Sequence, residues 1–137
     1  MQIARHSKNL VRLDLRGCFY LDNYGLDNLL EECKKLKFIG IQGCRKLSGS
    51  AINSLCHHAQ IEGVDLGGCY NISGDKIRYL IANHPNKANF QELGLSGAAR
   101  SNDELVELVC QHMPNIETLH IGYFEVGSKW RFELIWC

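Results

Sequence analysis

Apolar and polar residues alternate over short stretches that recur along the chain. Four stretches share one frame, and a fifth keeps its first half: LVRLDLRGC (10–18), LKFIGIQGC (36–44), IEGVDLGGC (61–69), FQELGLSGA (90–98) and IETLHIGYF (116–124). Their first residues are Leu10, Leu36, Ile61, Phe90 and Ile116, so the spacings are 26, 25, 29 and 26 residues. Alternation with a period of two predicts a short strand with one buried face in each copy.

Apolar residues at helical spacing follow each of the first four predicted strands. Their stripes are Leu26/Leu29/Leu30/Cys33, Ile52/Leu55/Cys56/Ala59, Ile77/Leu80/Ile81 and Leu105/Leu108/Val109. Ser101 with Glu104 predicts a capping box for the last helix. Strands that alternate with helices at a fixed period predict an α/β fold, with a parallel sheet and the helices outside it. One unit cannot bury its own apolar face, so the units must stack.

The frame resembles the cysteine-containing leucine-rich repeat, L-x-x-L-x-L-x-x-C with an apolar residue three positions later. The matching pairs are Cys18 with Leu21, Cys44 with Leu47, and Cys69 with Ile72. The likeness covers about residues 3–124 and implies a leucine-rich repeat solenoid, a short horseshoe arc with the parallel sheet on its concave side and the helices on its convex side. We expect residues 1–137 to form a single domain of about five repeats. The fourth copy departs from the pattern, with Ala98 at the cysteine position.

This repeat subclass is best known from F-box proteins, where the repeats recognise substrates of an SCF (cullin–RING) ubiquitin ligase. The resemblance therefore implies a protein–protein interaction module, with the substrate-recognition role of an F-box-like ligase receptor. The ligase subunits would bind through a region that is not in this chain, since no F-box is recognisable here. Other intracellular proteins carry the same repeats, so a non-ligase scaffold or assembly factor that holds a subunit of a larger complex is the alternative.

Both ends of the chain depart from the frame. Residues 3–6 resemble residues 81–84, at the end of a predicted helix, so we expect the chain to begin inside a partial repeat. Such an open N-terminal edge belongs to a fragment of a longer protein, or else a partner or a second copy covers it. At the other end, residues 125–137 form an irregular apolar segment. Its role as a capping strand, an unshielded tail or part of a binding surface stays open.

Charge and composition narrow the class of partner. Lys and Arg equal Asp and Glu at 15 each, so there is no overall field to attract nucleic acid or an anionic membrane. Residues 1–50 nevertheless carry nine basic and five acidic residues, against six and ten in the remainder, a polarity that can orient a protein partner. Seven cysteines without a secretory signal are typical of reduced thiols in a cytoplasmic or nuclear protein.

The candidate chemical groups have structural explanations. Cys18, Cys44 and Cys69 are predicted to fill the turn after each strand, and the chain has no close CxxC or HxxxH pair for zinc. Asp14 and Asp65 lie two repeats apart and no nucleophile–base pair accompanies them. We therefore expect no enzymatic activity, no metal and no cofactor.

The histidines near the helix ends are interpreted in two ways. We expect His57 and His58 to lie on the surface. His84 and His112 are predicted to complement helix dipoles as cations.

The outward side chains of the strands predict where a protein would bind. On the concave face these are Arg12, Asp14, Arg16, Phe38, Gln42, Asp65, Glu92, Ser96, Thr118 and His120. Phe38 stands out as an exposed aromatic, and aromatic and Arg side chains carry most interface energy, so Phe38, Arg12 and Arg16 lead the candidates. The loops after the cysteine positions are predicted to present Tyr20, Arg45, Tyr70 and Arg100 along one rim.

Overall fold

The computed structural model of the chain describes residues 5–98 and 103–122. Five strands of three residues each alternate with four helices in these ranges. The strands are β1 (Arg12–Asp14), β2 (Phe38–Gly40), β3 (Gly63–Asp65), β4 (Glu92–Gly94) and β5 (Thr118–His120). The helices are α1 (Asn23–Glu32), α2 (Gly49–His57), α3 (Gly74–Asn83) and α4 (Asp103–His112).

The strands form one parallel sheet in chain order, β1-β2-β3-β4-β5. Each strand pairs with the next in the same register, so that Leu13, Ile39, Val64, Leu93 and Leu119 stand in one row across the sheet. Successive helices pack against one another in the same order. The fold is therefore α/β and repeat-like, and this confirms the α/β class and the parallel sheet expected from the alternating pattern.

The core lies between the sheet and the helices, and both kinds of apolar position contribute to it. Ile39, Val64 and Leu93 of the strands are fully buried, as are Leu26 and Leu29 of α1. The helices meet the core through most of the stripes that their sequence predicted, since the same spacing places those residues on one side of each helix. Ala59 is the exception: α2 ends at His57, and Ala59 is exposed in the turn that follows, so its assignment to the buried stripe was wrong. Burial of these rows in every unit is what holds the stack together.

The turns after β2 and β3 each link neighbouring units through a cysteine. The thiol of Cys69 donates to the carbonyl of Ile41 at 3.1 Å, and the thiol of Cys44 donates to the carbonyl of Leu15 at 3.4 Å. The residue before each cysteine position is a glycine with a φ between 68° and 71°, in the left-handed region that favours glycine. The structural interpretation is confirmed for Cys44, for Cys69 and for these glycines.

Two histidines at the helix ends differ from the sequence expectation. His58 is buried, 6% exposed, with its Nε2 donating to the Cys33 carbonyl at 2.9 Å, so its prediction as a surface residue was wrong. His84 is 1% exposed, and its Nε2 donates to the Leu55 carbonyl at 2.9 Å. Burial lowers the pKa of His84, which makes it a neutral link between units and not the expected helix-dipole cation.

The longest spacing in the sequence, from Ile61 to Phe90, is absorbed between α3 and β4. A short 3-10 helix, Lys87–Asn89, lies in this connection. Just before it, the Asn86 side chain donates to the Ile61 carbonyl at 2.9 Å, which ties the longer turn back to the preceding unit. The extra residues therefore lengthen one turn without shifting the strand register.

Some sequence predictions fall on residues that lie outside the described ranges. These are the partial repeat at residues 3–4, the rim residue Arg100, the capping residue Ser101 and the C-terminal segment 125–137. The four described helices are at most ten residues long, and none of them could cross a membrane.

Candidate functional site

The sheet face turned away from the helices, here called the outer sheet face, is built from three rows of residues. The first row is Arg12, Phe38, Gly63, Glu92 and Thr118, and the second is Asp14, Gly40, Asp65, Gly94 and His120. The third, directly beyond the strands, contains Arg16, Gln42, Gly67, Ser96 and Gly122. All the residues that the sequence predicted for the concave face therefore belong to one continuous surface. The described residues predicted for the rim lie in the loops beside it.

Arg12, Phe38 and Glu92 form one connected group in the first row. The Arg12 guanidinium lies 3.7 Å from the centroid of the Phe38 ring, a cation–π geometry. The same guanidinium reaches the Glu92 carboxylate at 3.2 Å, across the two intervening strands. Gly63 makes room for this group, since a Cβ there would lie 3.0 Å from the Phe38 ring.

The prediction of Phe38 as an exposed aromatic was wrong. The residue is 8% exposed because its ring lies over Gly63 and under the Arg12 guanidinium. The Arg12 side chain is 63% exposed, so it is the arginine that meets solvent at this point of the face. Phe38 therefore supports the surface from below.

Two carboxylates and three glycines shape the second and third rows. The Asp65 carboxylate accepts from the backbone N–H of Gly67 at 2.9 Å and from the Gln42 amide at 2.7 Å. Its side chain lies across Gly94, where a Cβ would come within 2.2 Å of the carboxyl carbon. Asp14 likewise lies over Gly40, at 3.1 Å from the position of a Cβ. Side chains of alternate strands thus fold over glycines of the next strand.

Arg16 is the second exposed arginine of the outer sheet face. Its side chain is 69% exposed, and its guanidinium donates to Asp14 at 2.8 Å. This hydrogen bond, together with the one from the Arg16 backbone N–H, holds the pKa of Asp14 below its usual value. Asp14 is therefore ionised, and the pair offers a partner both a donor and an acceptor group.

Exposed aromatic and basic side chains border the outer sheet face where the strands end. We call the three loops between strand and helix, residues 16–22, 42–48 and 67–73, the strand-exit rim. It carries Phe19, Tyr20 and Tyr70, which are 59%, 89% and 68% exposed. Arg45 and Lys46 are exposed in the middle loop, and the Lys46 ammonium lies 5.4 Å from the centroid of the Tyr20 ring.

The sequence identified part of this rim and missed the rest. Tyr20, Arg45 and Tyr70 were predicted there, whereas Phe19, Lys46 and the 75%-exposed Tyr24 in the first turn of α1 were not. The signal was available, because Phe19 precedes Tyr20 directly and the loop has only one buried apolar position, Leu21. Six large hydrophobic side chains are exposed among the described residues, and four of them are these aromatics.

At its far end the outer sheet face carries His120, whose Nε2 lies 3.9 Å from the Glu92 carboxylate. His120 is about half exposed, and Thr118 next to it is exposed, whereas Ser96 is half-buried. Among the described residues, no group of three or more His, Cys, Asp or Glu side chains could hold a metal ion. What the face offers is charged, aromatic and hydrogen-bonding groups spread over several strands.

Comparison with known proteins bears on the fold. No protein-family profile matches the sequence, and no curated protein matches it. Among solved structures, leiomodin-1 actin-binding site 2 is similar, with a TM-score of 0.60 over 91% of this chain and 77% of that chain. The two sequences are 12% identical, so the likeness concerns the fold alone.

Proposed function

We propose that this protein is a leucine-rich repeat solenoid that binds another protein on its outer sheet face and strand-exit rim. The observation that carries the proposal is that Phe19, Tyr20 and Tyr70 are exposed on the strand-exit rim and Tyr24 is exposed in the first turn of α1. The guanidiniums of Arg12 and Arg16 are exposed on the adjoining outer sheet face. Tyr and Arg are the side chains that most often dominate interface energy. The remaining exposed hydrophobics are single residues, which any soluble protein carries.

The unit length supports a concave outer sheet face. Units of 25 to 29 residues agree with leucine-rich repeats, whose strands line the inside of a horseshoe. Strands β1 and β4 are three positions apart, about 14 Å in a flat sheet with strands about 4.8 Å apart. The Arg12 and Glu92 side chains are long enough to meet across this distance, at 3.2 Å.

The particular role we propose is substrate recognition for an F-box-like SCF ubiquitin ligase in the cytoplasm or nucleus. The support is the cysteine-containing frame, in which the thiols of Cys44 and Cys69 make the links between units described above. The alternative role is that of a non-ligase scaffold that holds a subunit of a complex. A similar solved structure is named for actin binding, and at 12% identity it favours neither a particular partner nor actin itself.

A site-specific cross-linking experiment tests whether the rim binds protein. A photoreactive amino acid replaces Tyr20 or Tyr70 in the expressed protein, and Tyr79 serves as the matched control because it is a 49%-exposed tyrosine on helix α3. We expect one discrete adduct, shared by the two rim positions, that Tyr79 does not give. The proposal fails if the three positions give the same adducts, or none, in cells where the protein is expressed.

Identification of the adduct and of its co-purifying proteins separates the two roles. In the ligase role, the endogenous protein co-purifies with a cullin and its adaptor, and the cross-linked protein accumulates when the proteasome is inhibited. In the scaffold role, the cross-linked protein co-purifies at equal stoichiometry, no cullin is present, and its level does not respond to the inhibitor. Substitution of Arg16 by Glu should weaken the adduct in both roles.

A further inference from the structure

On the opposite edge of the molecule, where helices lead into strands, a basic groove opens between two successive turns. The turn after α1 contributes Lys34, Lys35 and Lys37, and the end of α2 contributes His57, His58 and Gln60. The groove has a volume of about 550 Å³, within the usual range for small-molecule sites, about 300–1,000 Å³. The groove and the strand-exit rim lie at opposite edges of the sheet, so the proposed protein-binding function does not use the groove.

Much of the positive charge in the groove is available to a ligand. Lys34 makes no ion pair with any described residue. Lys35 donates to the Asn9 side chain at 3.0 Å, which uses one of its three N–H groups. Lys37 lies 3.5 Å from Glu62, but its side chain is 51% exposed, and such surface pairs are weak.

A buried imidazole beside these lysines has an unused nitrogen. The Nε2 of His58 must carry a proton, because it donates to the Cys33 carbonyl at 2.9 Å. In the neutral imidazole Nδ1 is then a lone-pair acceptor, and this atom is buried without any hydrogen-bond partner among the described residues. A buried acceptor without a donor is unfavourable, and such atoms mark places where an additional group belongs.

The equivalent histidine of the next unit shows what His58 lacks. His84 also donates from Nε2 to a carbonyl of the preceding unit, at 2.9 Å. Its Nδ1, however, accepts from the backbone N–H of Asn86 at 3.0 Å, in the turn with the extra residues. The turn after His58 is three residues shorter and brings no such donor to Nδ1. The unsatisfied nitrogen is thus specific to the unit that contains the basic groove.

We propose that this groove binds the phosphate group of a phosphate monoester as its monoanion, with the ammonium groups of Lys34, Lys35 and Lys37 around the anion. The side chains that cover His58 Nδ1 move aside on binding, and the remaining P–O–H of the monoanion donates to that nitrogen. Phosphate can bind both the lysines and the imidazole. Its oxygens accept from the ammonium groups, and its protonated form can also donate to His58 Nδ1. A carboxylate is acceptor-only at neutral pH and leaves Nδ1 without a donor.

The surroundings of the groove define the rest of the ligand. A second groove of about 360 Å³ shares Lys34, His57 and His58 with the first and is also lined by Asp27 and Glu31 of α1. These two carboxylates repel a second anionic group and attract a positively charged one. The ligand is accordingly a monoester whose organic part is neutral or cationic, and polyphosphates are disfavoured.

Calorimetric titration of the whole protein with small anions tests the proposal. Inorganic phosphate should bind about tenfold more tightly than sulfate at pH 7, because both of its ionic forms at this pH keep a proton that can be donated to His58, whereas the sulfate dianion has none. Phosphoethanolamine should bind more tightly than phosphoglycolate, whose carboxylate faces Asp27 and Glu31. Equal affinity for phosphate and sulfate, or binding of neither, overturns the assignment.

Charge-removing variants locate the site without disturbing the core. The double substitution K34Q/K37Q should lower phosphate affinity by about tenfold or more, whereas K46Q, an exposed lysine on the strand-exit rim, should leave it unchanged. Phosphate should also shift the His58 imidazole resonances in NMR spectra while those of His84 stay in place. If phosphate binds with the same affinity to both lysine variants, the anion lies elsewhere and the proposal is wrong.

Discussion

At the scale of single residues, the Asp65 side chain packs over Gly94 on the outer sheet face and occupies the place that a side chain at position 94 would need. A Cβ at position 94 would lie 2.2 Å from the carboxyl carbon, so G94A must displace Asp65 from its hydrogen bonds with Gly67 and Gln42. We expect a loss of about 1–3 kcal/mol in the free energy of unfolding, measured by urea denaturation.

A matched glycine provides the control for this variant. A Cβ at Gly122 would meet its nearest atom, the Ser96 hydroxyl, at 3.8 Å, an ordinary contact. G122A should therefore change stability by less than about 0.5 kcal/mol. In a protein that already carries D65A, G94A should cause little further loss in the free energy of unfolding, because the clashing carboxylate has been removed. A full cost of G94A in that background would contradict the packing argument.

The buried imidazole of His84 makes stability depend on pH. Burial lowers its pKa from the ordinary value of 6.5, so the unfolded chain takes up a proton at a higher pH than the folded protein does. The contribution of the neutral His84 side chain to the free energy of unfolding is fully present above about pH 6.5. It is lost progressively as the pH falls below this value, until the folded-state pKa is reached. We expect thermal unfolding temperatures to fall between pH 7 and pH 5.

Substitution of His84 separates its effect from those of other groups. H84Q should be less stable than the wild type at pH 7, by about 1–3 kcal/mol, because a buried hydrogen-bonding group is replaced. Its unfolding temperature should nevertheless depend less steeply on pH in the acid range. H6Q, which changes an exposed histidine, should keep the wild-type slope. Identical slopes in H84Q and the wild type would assign the acid sensitivity to other residues.

At the scale of elements, one asparagine joins the starts of two helices. Asn23, the first residue of α1, donates to the Ser48 hydroxyl at 2.8 Å and accepts from the Ser48 backbone N–H at 3.1 Å. Ser48 is the N-cap of α2 but makes no side-chain capping bond of its own. We expect N23A to lower the free energy of unfolding by about 1–2 kcal/mol, since two partly buried hydrogen bonds are lost.

An asparagine in the exposed part of α2 is the control. The Asn53 side chain contacts the Lys76 ammonium at 3.5 Å in an exposed setting. N53A should be neutral or slightly stabilising, because alanine is the better helix former. If N23A and N53A had the same effect in urea denaturation, the bridge between α1 and α2 would contribute nothing to stacking.

At the scale of the whole molecule, the core cysteines report on opening of the stack. Burial raises the pKa of the Cys69 thiol to about 12, and the residue is fully buried. At pH 8 the thiol form therefore predominates strongly at this site, and the reactive thiolate is scarce. Alkylation of native protein, followed by peptide mass spectrometry, should therefore reach the partly exposed Cys18 well before Cys69.

Denaturant dependence completes this test. Labelling of Cys69 should accelerate with urea along the slope of global unfolding, because the residue is fully buried in the continuous core that the units share. Rapid labelling of Cys69 in native buffer, at the rate found for Cys18, would mean that the units open separately. The stack would then lack the cooperativity that its continuous core implies.

The sequence by itself determined the order, type and spacing of the elements. LVRLDL and its copies alternate with a period of two, and stripes such as Leu26/Leu29/Leu30 follow them at helical spacing. Both apolar faces can be buried together when the strands form a parallel sheet and the helices pack on one side of it. The parallel sheet therefore followed from the pattern. It also determined which side chains share the outer sheet face, because side chains alternate between the two faces of a strand.

The tertiary structure decided what each side chain meets, since those contacts come from neighbouring units 25 to 29 residues away. Phe38 looked exposed in its own frame, but Arg12 from the preceding unit covers it, and Gly63 from the following unit provides the space beneath its ring. His58 was predicted on the surface and His84 as a helix-dipole cation, yet both donate to carbonyls of the preceding units in the interior. Local pattern fixes the direction of a side chain, whereas its burial and protonation depend on residues distant in the sequence.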